Sequence, residues 1–246
     1  MKNVFTTKTF ENKNHKNHII FICDHAKNKI PLKYNNLGLT KKEIESHIAY
    51  DIGIEKFGIE LTKKLKQTYI MSNFSRLVID PNRSKSDLDL IVENPFGVKI
   101  PGNKNIKLKE KQNRIFNYYE KYHSKLLELV KKKTKIYEKI FLVSLHSFTK
   151  TCEKFDRGIE VGLLWNKNMN LLLPIQEKLK LEGVSFGRNY PYSGFHFNFT
   201  LDRLNNSFPF DNIAIEIRND LICSKKGITK YVNIFSKIFR CFLNVK

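Results

Sequence analysis

Histidine and carboxylate side chains occur near the ends of three short apolar segments of this 246-residue chain. The segment "FICDH" ends at His25, "FLVSLHS" carries His146 close to its end, and "IAIEIRND" contains Glu216. A fourth segment, "SRLVIDPNR", supplies four further polar side chains: Arg76, Asp80, Asn82 and Arg83. Two imidazoles with a carboxylate are typical ligands of a catalytic zinc ion, and a further carboxylate can serve as a general base. These residue types predict a metal site if the fold brings them together.

The elements that must position these side chains are predicted from the apolar patterning. Short runs rich in β-branched residues and bounded by polar ones predict strands at 18–24, 68–73, 139–146, 158–165, 184–187 and 212–218. Apolar positions at helical spacing predict helices at 41–67, 106–135, 169–182 and 228–243. Segment 75–80 is predicted to be extended. Segment 84–105 contains two prolines and two glycines, which predicts a long loop of the kind that often covers a site.

The alternation of strands and helices predicts an α/β fold, with one domain over residues 1–246. We expect a mostly parallel central sheet. In such sheets ligands bind beyond the carboxyl ends of the strands. The polar ends of the three apolar segments are therefore expected to meet at one edge of the sheet.

The formal charge of +20 raises the question of nucleic-acid binding. However, 36 of the 44 basic residues are lysines spread along the whole chain, and they are accompanied by 25 asparagines. Surfaces that clamp phosphates or read bases favour the planar arginine side chain, of which there are eight. The composition therefore favours a solvated lysine-rich surface, and a nucleic-acid-binding protein is the alternative.

Localisation is predicted from three absences in the sequence, namely those of a membrane helix, a secretory signal and a CxxC motif. No run approaches the roughly 18 to 20 apolar residues of a membrane helix. The N-terminal residues are polar and lack the apolar core of a secretory signal. The four cysteines form no CxxC motif, which indicates free thiols in a reducing compartment. We expect a cytoplasmic protein with no membrane partner.

Six segments of the chain, between about residues 18 and 225, resemble the successive sequence blocks of the N-formylglutamate amidohydrolase family. In chain order they are "DHAKNKIP", "HIAYDIGI", "SRLVIDPNR", "SLHSF", "NYPYSG" and "IEIRNDLI". That family is similar in turn to zinc carboxypeptidases and zinc amidases. The resemblance therefore implies a zinc carboxypeptidase-like, phosphorylase/hydrolase-like architecture, with a central mixed, mostly parallel sheet flanked by helices.

The resemblance also implies a function, namely metal-dependent hydrolysis of an N-acyl amino acid such as N-formylglutamate by an activated water. The expected partner is this small-molecule substrate. One alternative is an amidase that acts on another bond, such as that of a cell-wall peptide. Another is a relative that has lost its metal and binds nucleic acid through its lysines.

The metal ligands follow from the same resemblance, which implies that His25 and His146 hold zinc or another divalent metal. Carboxypeptidases place a carboxylate three residues after the first histidine, where this chain has Asn28, a poor zinc ligand. Asp24 is adjacent to His25, but neighbouring side chains on a strand point in opposite directions. Asp51, in "AYDIG" within the first half of the predicted helix 41–67, is the preferred third ligand, with Asp24 and Asn28 as alternatives.

Chemical roles can be assigned to the remaining polar side chains. Glu216 is predicted to act as the general base and then the general acid. Arg76 would donate to the developing oxyanion. Asn82 and Arg83 are predicted to bind a substrate carboxylate, with loop ion pairs to Asp80 or Asp87 as the alternative.

Two aromatic segments complete the predicted site. Tyr192 lies in the turn sequence "NYPYSG" and is expected to line the substrate groove. His123 belongs to a Tyr-His pair that the family resemblance places near the pocket. For His123 a surface position on its helix is the alternative.

Overall fold

The computed structural model describes residues 3–12, 14–152 and 154–243, and these contain nine strands. The strands are β1 (Phe5–Thr9), β2 (Asn17–Cys23), β3 (Thr68–Ser72), β4 (Lys139–Phe148), β5 (Thr151–Cys152), β6 (Phe155–Asp156), β7 (Val161–Leu164), β8 (Phe186–Arg188) and β9 (Asp211–Arg218). The helices are α1 (Lys41–Ile44), α2 (Ile54–Leu65), α3 (Leu108–Arg114), α4 (Lys121–Thr134), α5 (Leu172–Leu181), α6 (Gly194–Phe197), α7 (Phe199–Ser207) and α8 (Lys225–Arg240). A π-helical turn, Ile115–Glu120, joins α3 to α4. Within the described ranges no helix is long and apolar enough to cross a membrane.

Seven of the strands form one mixed sheet in the order β1-β3-β2-β4-β9-β7-β8, and β5 and β6 form a separate hairpin. Strands β3, β2, β4 and β9 are parallel neighbours, as are β7 and β8. The pairings of β1 with β3 and of β7 with β9 are antiparallel. The predicted mixed, mostly parallel sheet is confirmed. Because β2, β4 and β9 are adjacent and parallel, their carboxyl ends meet at one edge.

Helices cover both faces of the sheet, so every residue of the central strand β2 is buried. The continuous apolar run of β2 is typical of a strand that is covered on both faces. On one face, α2, α5 and α8 pack against alternate residues of β2 and β4. On the other face, α4 and α7 pack against the intervening residues. Aromatic side chains link these layers; for example, the rings of Phe21 in β2 and Phe239 in α8 lie 5.3 Å apart between centroids. This packing fixes the strands that carry the polar residues.

The prediction of one helix over 41–67 is wrong. Helix α1 ends at Ile44, and an irregular segment precedes the start of α2 at Ile54. Gly53 ends this segment in the left-handed conformation, with a φ of 83°. The apolar spacing that predicted the helix holds over α2, whereas the interruption depends on contacts with distant parts of the chain. Asp51 therefore lies in the turn before α2 and not within a helix.

Two further local differences concern the segments that border the central strands. Residues 75–80 form a turn instead of an extended segment, because Val78 N–H donates to the Ser75 carbonyl and the Ser75 hydroxyl donates to the Ala49 carbonyl. Strand β1 was not predicted, since its alternating polar sequence resembles that of a loop. The predicted loop 84–105 is confirmed and contains only single turns of 3₁₀ helix. The remaining predicted elements are present with boundaries shifted by a few residues.

Gly53 provides a test of the turn that carries Asp51. A Cβ atom at Gly53 would lie 2.4 Å from the Ile222 carbonyl oxygen, in addition to the strain of a positive φ. We predict that Gly53→Ala lowers the free energy of unfolding by about 3 kcal/mol. Gly97 has a similar φ of 78° but nothing within 4 Å of its Cβ position. The matched Gly97→Ala change should therefore cost only about 1 kcal/mol, and equal losses in urea unfolding would contradict the steric argument.

Candidate active site

A cavity of about 400 Å³ opens at the carboxyl ends of the central strands. His25 follows the end of β2, and His146 and Glu216 lie within the last residues of β4 and β9. His146 and Glu216 are direct partners in the parallel register of β4 and β9, so they lie side by side. All three side chains line the cavity. The sheet thus brings together residues that are up to 191 positions apart in the sequence.

The imidazoles of His25 and His146 share the carboxylate of Asp51. Oδ2 of Asp51 lies 2.9 Å from Nδ1 of His146 and 3.7 Å from Nδ1 of His25. One ligand atom from each of the three residues lies within 4.8 Å of the others, and all three residues are buried. Nδ1 of His25 has no hydrogen-bond partner within the described part of the chain. This group has the donor set and the spacing of a site for a divalent metal ion.

Nε2 of each imidazole makes a hydrogen bond with a neighbouring side chain. Nε2 of His25 donates to Asp80 Oδ1 at 2.8 Å. Nε2 of His146 hydrogen-bonds with the Ser144 hydroxyl at 3.0 Å, and a carboxylate oxygen of Asp24 lies 3.9 Å away. Such contacts fix ring orientation and tautomer, so that both Nδ1 atoms face Asp51.

Asp51 is fixed by its backbone and by a neighbouring cation. Its N–H donates to the His25 carbonyl at 2.8 Å, which ties the turn before α2 to the end of β2. Arg76 donates to Oδ1, and the Ser147 N–H donates to Oδ2 at 3.3 Å. Burial opposes ionisation of Asp51, but the charge of Arg76 and the histidine hydrogen bonds hold its pKa well below the usual range. Asp51 is therefore an ionised carboxylate next to both imidazoles.

The two alternative third ligands lie elsewhere. The Asn28 side chain donates to the Ile44 carbonyl at 3.0 Å and does not line the cavity. Asp24 is fully buried on the Nε2 side of His146, whereas Asp51 is on the Nδ1 side. Of the three candidates for the third ligand, only Asp51 has metal-ligand spacing to His25 and His146.

Burial and neighbouring charges together set the protonation of the groups around this centre. It raises the pKa of Glu216 to about 7, although the nearby His146 opposes the shift. Burial alone would lower the pKa of His146, but the hydrogen bond and charge of Asp51 raise it to about 9. The proton on Nδ1 of His146 is one that a bound metal ion would displace.

Asn82 and Arg83 both line the cavity, but they differ in their freedom to bind a ligand. The Asn82 amide donates to the Phe197 carbonyl at 2.8 Å and accepts from Thr200 N–H at 3.1 Å, so both of its ends are engaged. The Arg83 guanidinium lies over the Phe197 ring at 5.0 Å, and among the described residues only one of its nitrogens donates, to the adjacent Asn82 carbonyl. Arg83 therefore retains donors that could meet an anionic ligand.

Tyr192 and His123, which the sequence analysis predicted to be near the pocket, differ in their position relative to the cavity. Tyr192 lines the cavity next to Phe197, with 5.7 Å between the ring centroids. His123 is buried behind the site, where its Nε2 donates to the Pro81 carbonyl at 2.9 Å. Burial lowers the pKa of His123 to about 3 and keeps the ring neutral. The structure thus brings Tyr192, but not His123, into the lining.

The structure adds three residues to the site that the sequence analysis did not assign. Asp80 supports His25, and His47 lines the cavity with its Nδ1 3.9 Å from Asp51. Asp89 also lines the cavity and is exposed. Burial lowers the pKa of His47 to about 4, so this imidazole is neutral. The only sequence signal for His47 was its spacing of four residues from Asp51, which would place both side chains on one face of a helix. The structure has no helix at these positions.

The site is a histidine–carboxylate group at the carboxyl ends of parallel strands. The chain belongs to the N-formylglutamate amidohydrolase family, which it matches over residues 17–223. This match confirms the family resemblance of the six sequence segments. The sequence has no significant match among curated proteins.

Two solved structures have closely similar folds. A gene product of Agrobacterium tumefaciens is 27% identical in sequence, with a TM-score of 0.89 over 97% of this chain and 94% of that one. The N-formylglutamate amidohydrolase from Ralstonia eutropha is 18% identical, with a TM-score of 0.70 over 97% of this chain and 96% of that one. The architecture described above is therefore shared with both proteins over nearly their whole length.

Proposed function

We propose that this protein is a zinc-dependent amidohydrolase that cleaves the amide bond of an N-acyl amino acid, in particular an N-formyl amino acid. The observation that carries the proposal is the convergence of His25, Asp51 and His146 beside Glu216 in one buried cavity. Family membership supports the reaction class. The donor set of two imidazoles and one carboxylate suits zinc, although another divalent metal could occupy the same group.

The residues present fit a metal ion at this position. Nδ1 of His25, Nδ1 of His146 and Oδ2 of Asp51 would hold it, because these atoms face one another and Nδ1 of His25 is buried without a partner in the described ranges. Asp51 can serve as a ligand through Oδ2 while Arg76 holds Oδ1. When bound, zinc lowers the pKa of water to about 7 and polarises a carbonyl oxygen.

Glu216 would move the proton that the hydrolysis requires. Its Oε2 is buried and has no hydrogen-bond partner among the described residues, and it lies beside His146. Glu216 accepts a proton from the attacking water as the water oxygen bonds to the acyl carbon. It then delivers this proton to the amide nitrogen as the C–N bond breaks, which yields a carboxylic acid and an amine.

Two arginines would bind the charges that the substrate carries or develops. Arg76 donates to Asp51 through one nitrogen, and its Nε is buried without an acceptor in the described structure. This fixed cation can stabilise the negative charge that develops on the carbonyl oxygen. Arg83 would bind the substrate α-carboxylate through its free donors. Asn82 would stabilise the cavity wall, and Tyr192 would border the substrate groove. His123 would contribute by supporting Pro81 and not by touching the substrate.

The reaction itself can be tested by measuring the release of formate from a panel of N-formyl amino acids by zinc-loaded protein. The proposal predicts formate and the free amino acid in equal amounts. A correctly folded, zinc-loaded protein that releases formate from none of these compounds would contradict it.

Asp80 provides a test of how His25 is positioned. We predict that Asp80→Asn lowers zinc affinity by about 10- to 100-fold, since the amide cannot match the charged acceptor that holds Nε2 of His25. The measurement is zinc binding by competition with a chromogenic chelator. Asp202→Asn is the matched control, because Asp202 bonds with Asn166 and does not line the cavity. Unchanged affinity in Asp80→Asn, with the control also unchanged, would show that the contact does not support the metal site.

A further inference from the structure

The buried guanidinium of Arg157 lies beside the cavity wall and has no role in the reaction described above. Arg157 directly follows β6 and is 7% exposed to solvent. The Cζ atom of its guanidinium lies 5.0 Å from the ring centroid of Tyr192, which lines the cavity. The same atom lies 5.6 Å from the ring centroid of Phe148 at the end of β4. Arg157 is therefore at the same edge of the sheet as the histidine–carboxylate group.

The charge of Arg157 has no counter-ion in the described part of the chain. Arg76 and Arg83 each pair with an aspartate, whereas no carboxylate of the described residues pairs with Arg157. Nη1 of Arg157 donates to the Thr149 carbonyl at 3.0 Å, which satisfies one donor but does not neutralise the charge. A buried charge without a counter-ion is costly, and an anionic ligand that pairs with it removes this cost.

The charge of Arg157 acts on a group that faces the cavity. Burial and the negative charge of Glu216 raise the pKa of Tyr192, and the positive charge of Arg157 opposes this shift. Tyr192 is thus close to both the proposed general base and Arg157. A ligand that occupies the cavity next to Tyr192 would experience the same positive charge.

Arg83 and Arg157 flank one aromatic wall of the cavity. The guanidinium of Arg83 lies 5.0 Å from the ring centroid of Phe197. The ring of Phe197 packs against that of Tyr192, with 5.7 Å between the centroids, and Arg157 lies beyond Tyr192. Each guanidinium can bind a carboxylate through a pair of N–H donors. The two ends of this wall therefore suit a ligand with two separate carboxylates.

We infer that Arg157 binds the side-chain carboxylate of an acidic N-formyl amino acid, such as N-formylglutamate, while Arg83 binds its α-carboxylate. Arg157 is then the residue that selects an acidic side chain, because a neutral side chain would leave its buried charge unpaired. This inference rests on the proposed function, since it names a specificity-determining residue for the same reaction.

The test compares two ligands that differ only in the charge of the side chain. Zinc-loaded Glu216→Gln protein, which would not turn over its ligand, is titrated calorimetrically with N-formylglutamate and with its neutral amide analogue, N-formylglutamine. We expect N-formylglutamate to bind at least about tenfold more tightly. Adding Arg157→Gln to this protein should weaken N-formylglutamate binding by about 10- to 100-fold and change N-formylglutamine binding by less than about threefold.

The ratio of the two affinities separates recognition from a structural role of Arg157. Loss of the bond to the Thr149 carbonyl would weaken both ligands equally. Because both ligands are titrated into one preparation, a misfolded fraction lowers the number of binding sites but not the ratio. Arg157→Lys keeps the positive charge and should keep part of the preference for N-formylglutamate.

Arg240→Gln is the matched control for the change in net charge. Arg240 is exposed at the end of α8, and the nearby Phe242 carbonyl accepts from Asn17 at the start of β2, at the opposite edge of the sheet. This variant should keep the full preference. Equal losses for both ligands in Arg157→Gln, or an unchanged preference, would overturn the inference. Binding of N-formylglutamine as tight as that of N-formylglutamate before Arg157 is changed would also overturn it.

Formate release by the wild-type protein tests the reaction separately. If no formate is released but the preference depends on Arg157, the proposed reaction fails and the assignment of Arg157 stands. If formate is released but the preference does not depend on Arg157, the assignment fails and the proposed reaction stands.

Discussion

Glu216→Gln protein is expected to fold and to bind zinc like the wild type, and to hydrolyse N-formyl amino acids more slowly by a factor of about 10²–10⁴. Glutamine preserves the shape of the side chain but cannot accept the proton of the attacking water. The wild-type carboxylate is suited to this task because burial raises its pKa to about 7, close to neutral pH.

The measurements for this variant are kcat, zinc content and the far-ultraviolet circular dichroism spectrum. Glu160→Gln is the control, since Glu160 bonds with Tyr231 and Ser185 and does not line the cavity. It should retain the wild-type rate. A wild-type rate in Glu216→Gln would show that another group handles the proton.

Removal of the metal is expected to abolish activity, and addition of zinc to restore it. His25, Asp51 and His146 form the only group of three or more histidine, cysteine or acidic residues with metal-ligand spacing in the described ranges. Without the ion, the acyl carbonyl would lose its polarisation and the attacking water its lowered pKa. The measurement is formate release before chelation, after chelation and after zinc is restored.

Two histidine variants make this test specific to the proposed ligands. His25→Gln should lose both zinc and activity, because one of the three ligands is gone. His123→Gln should keep its zinc, since His123 lies behind Pro81 and outside the group. Unchanged turnover in excess chelator, or full zinc content in His25→Gln, would contradict the metal-dependent mechanism.

The positions of His25, His146 and Glu216 were predictable because they follow from local sequence and one general rule. The runs that form β2, β4 and β9 are short, β-branched and buried, which identifies them as inner strands. Parallel neighbours place their carboxyl ends at a common edge. Their convergence therefore required no knowledge of distant contacts.

The surroundings of Asp51 were not predictable in the same way. Its turn depends on Gly53 packing against the Ile222 carbonyl, a contact between positions 169 residues apart. The turn at 75–80 similarly depends on the bond of Ser75 to the Ala49 carbonyl. Helical spacing describes one face of one segment and contains no information on such contacts, so it extended the helix through the break.

Long-range packing also determines whether a side chain on a helix reaches the cavity. His123 lies on a helical face that packs toward Phe199 of α7, and this contact turns it away from the cavity. The support of His25 by Asp80 joins positions 55 residues apart and depends on the turn between them. Spacing alone could indicate the residue types of the site but not which of them support the others.

The most direct test of the shared metal centre is a crystal structure of the zinc-loaded protein with anomalous diffraction measured at the zinc absorption edge. The account predicts one strong anomalous peak bonded to Nδ1 of His25, Nδ1 of His146 and a carboxylate oxygen of Asp51. A protein that takes up no zinc, or a peak that lies away from these three residues, would contradict it.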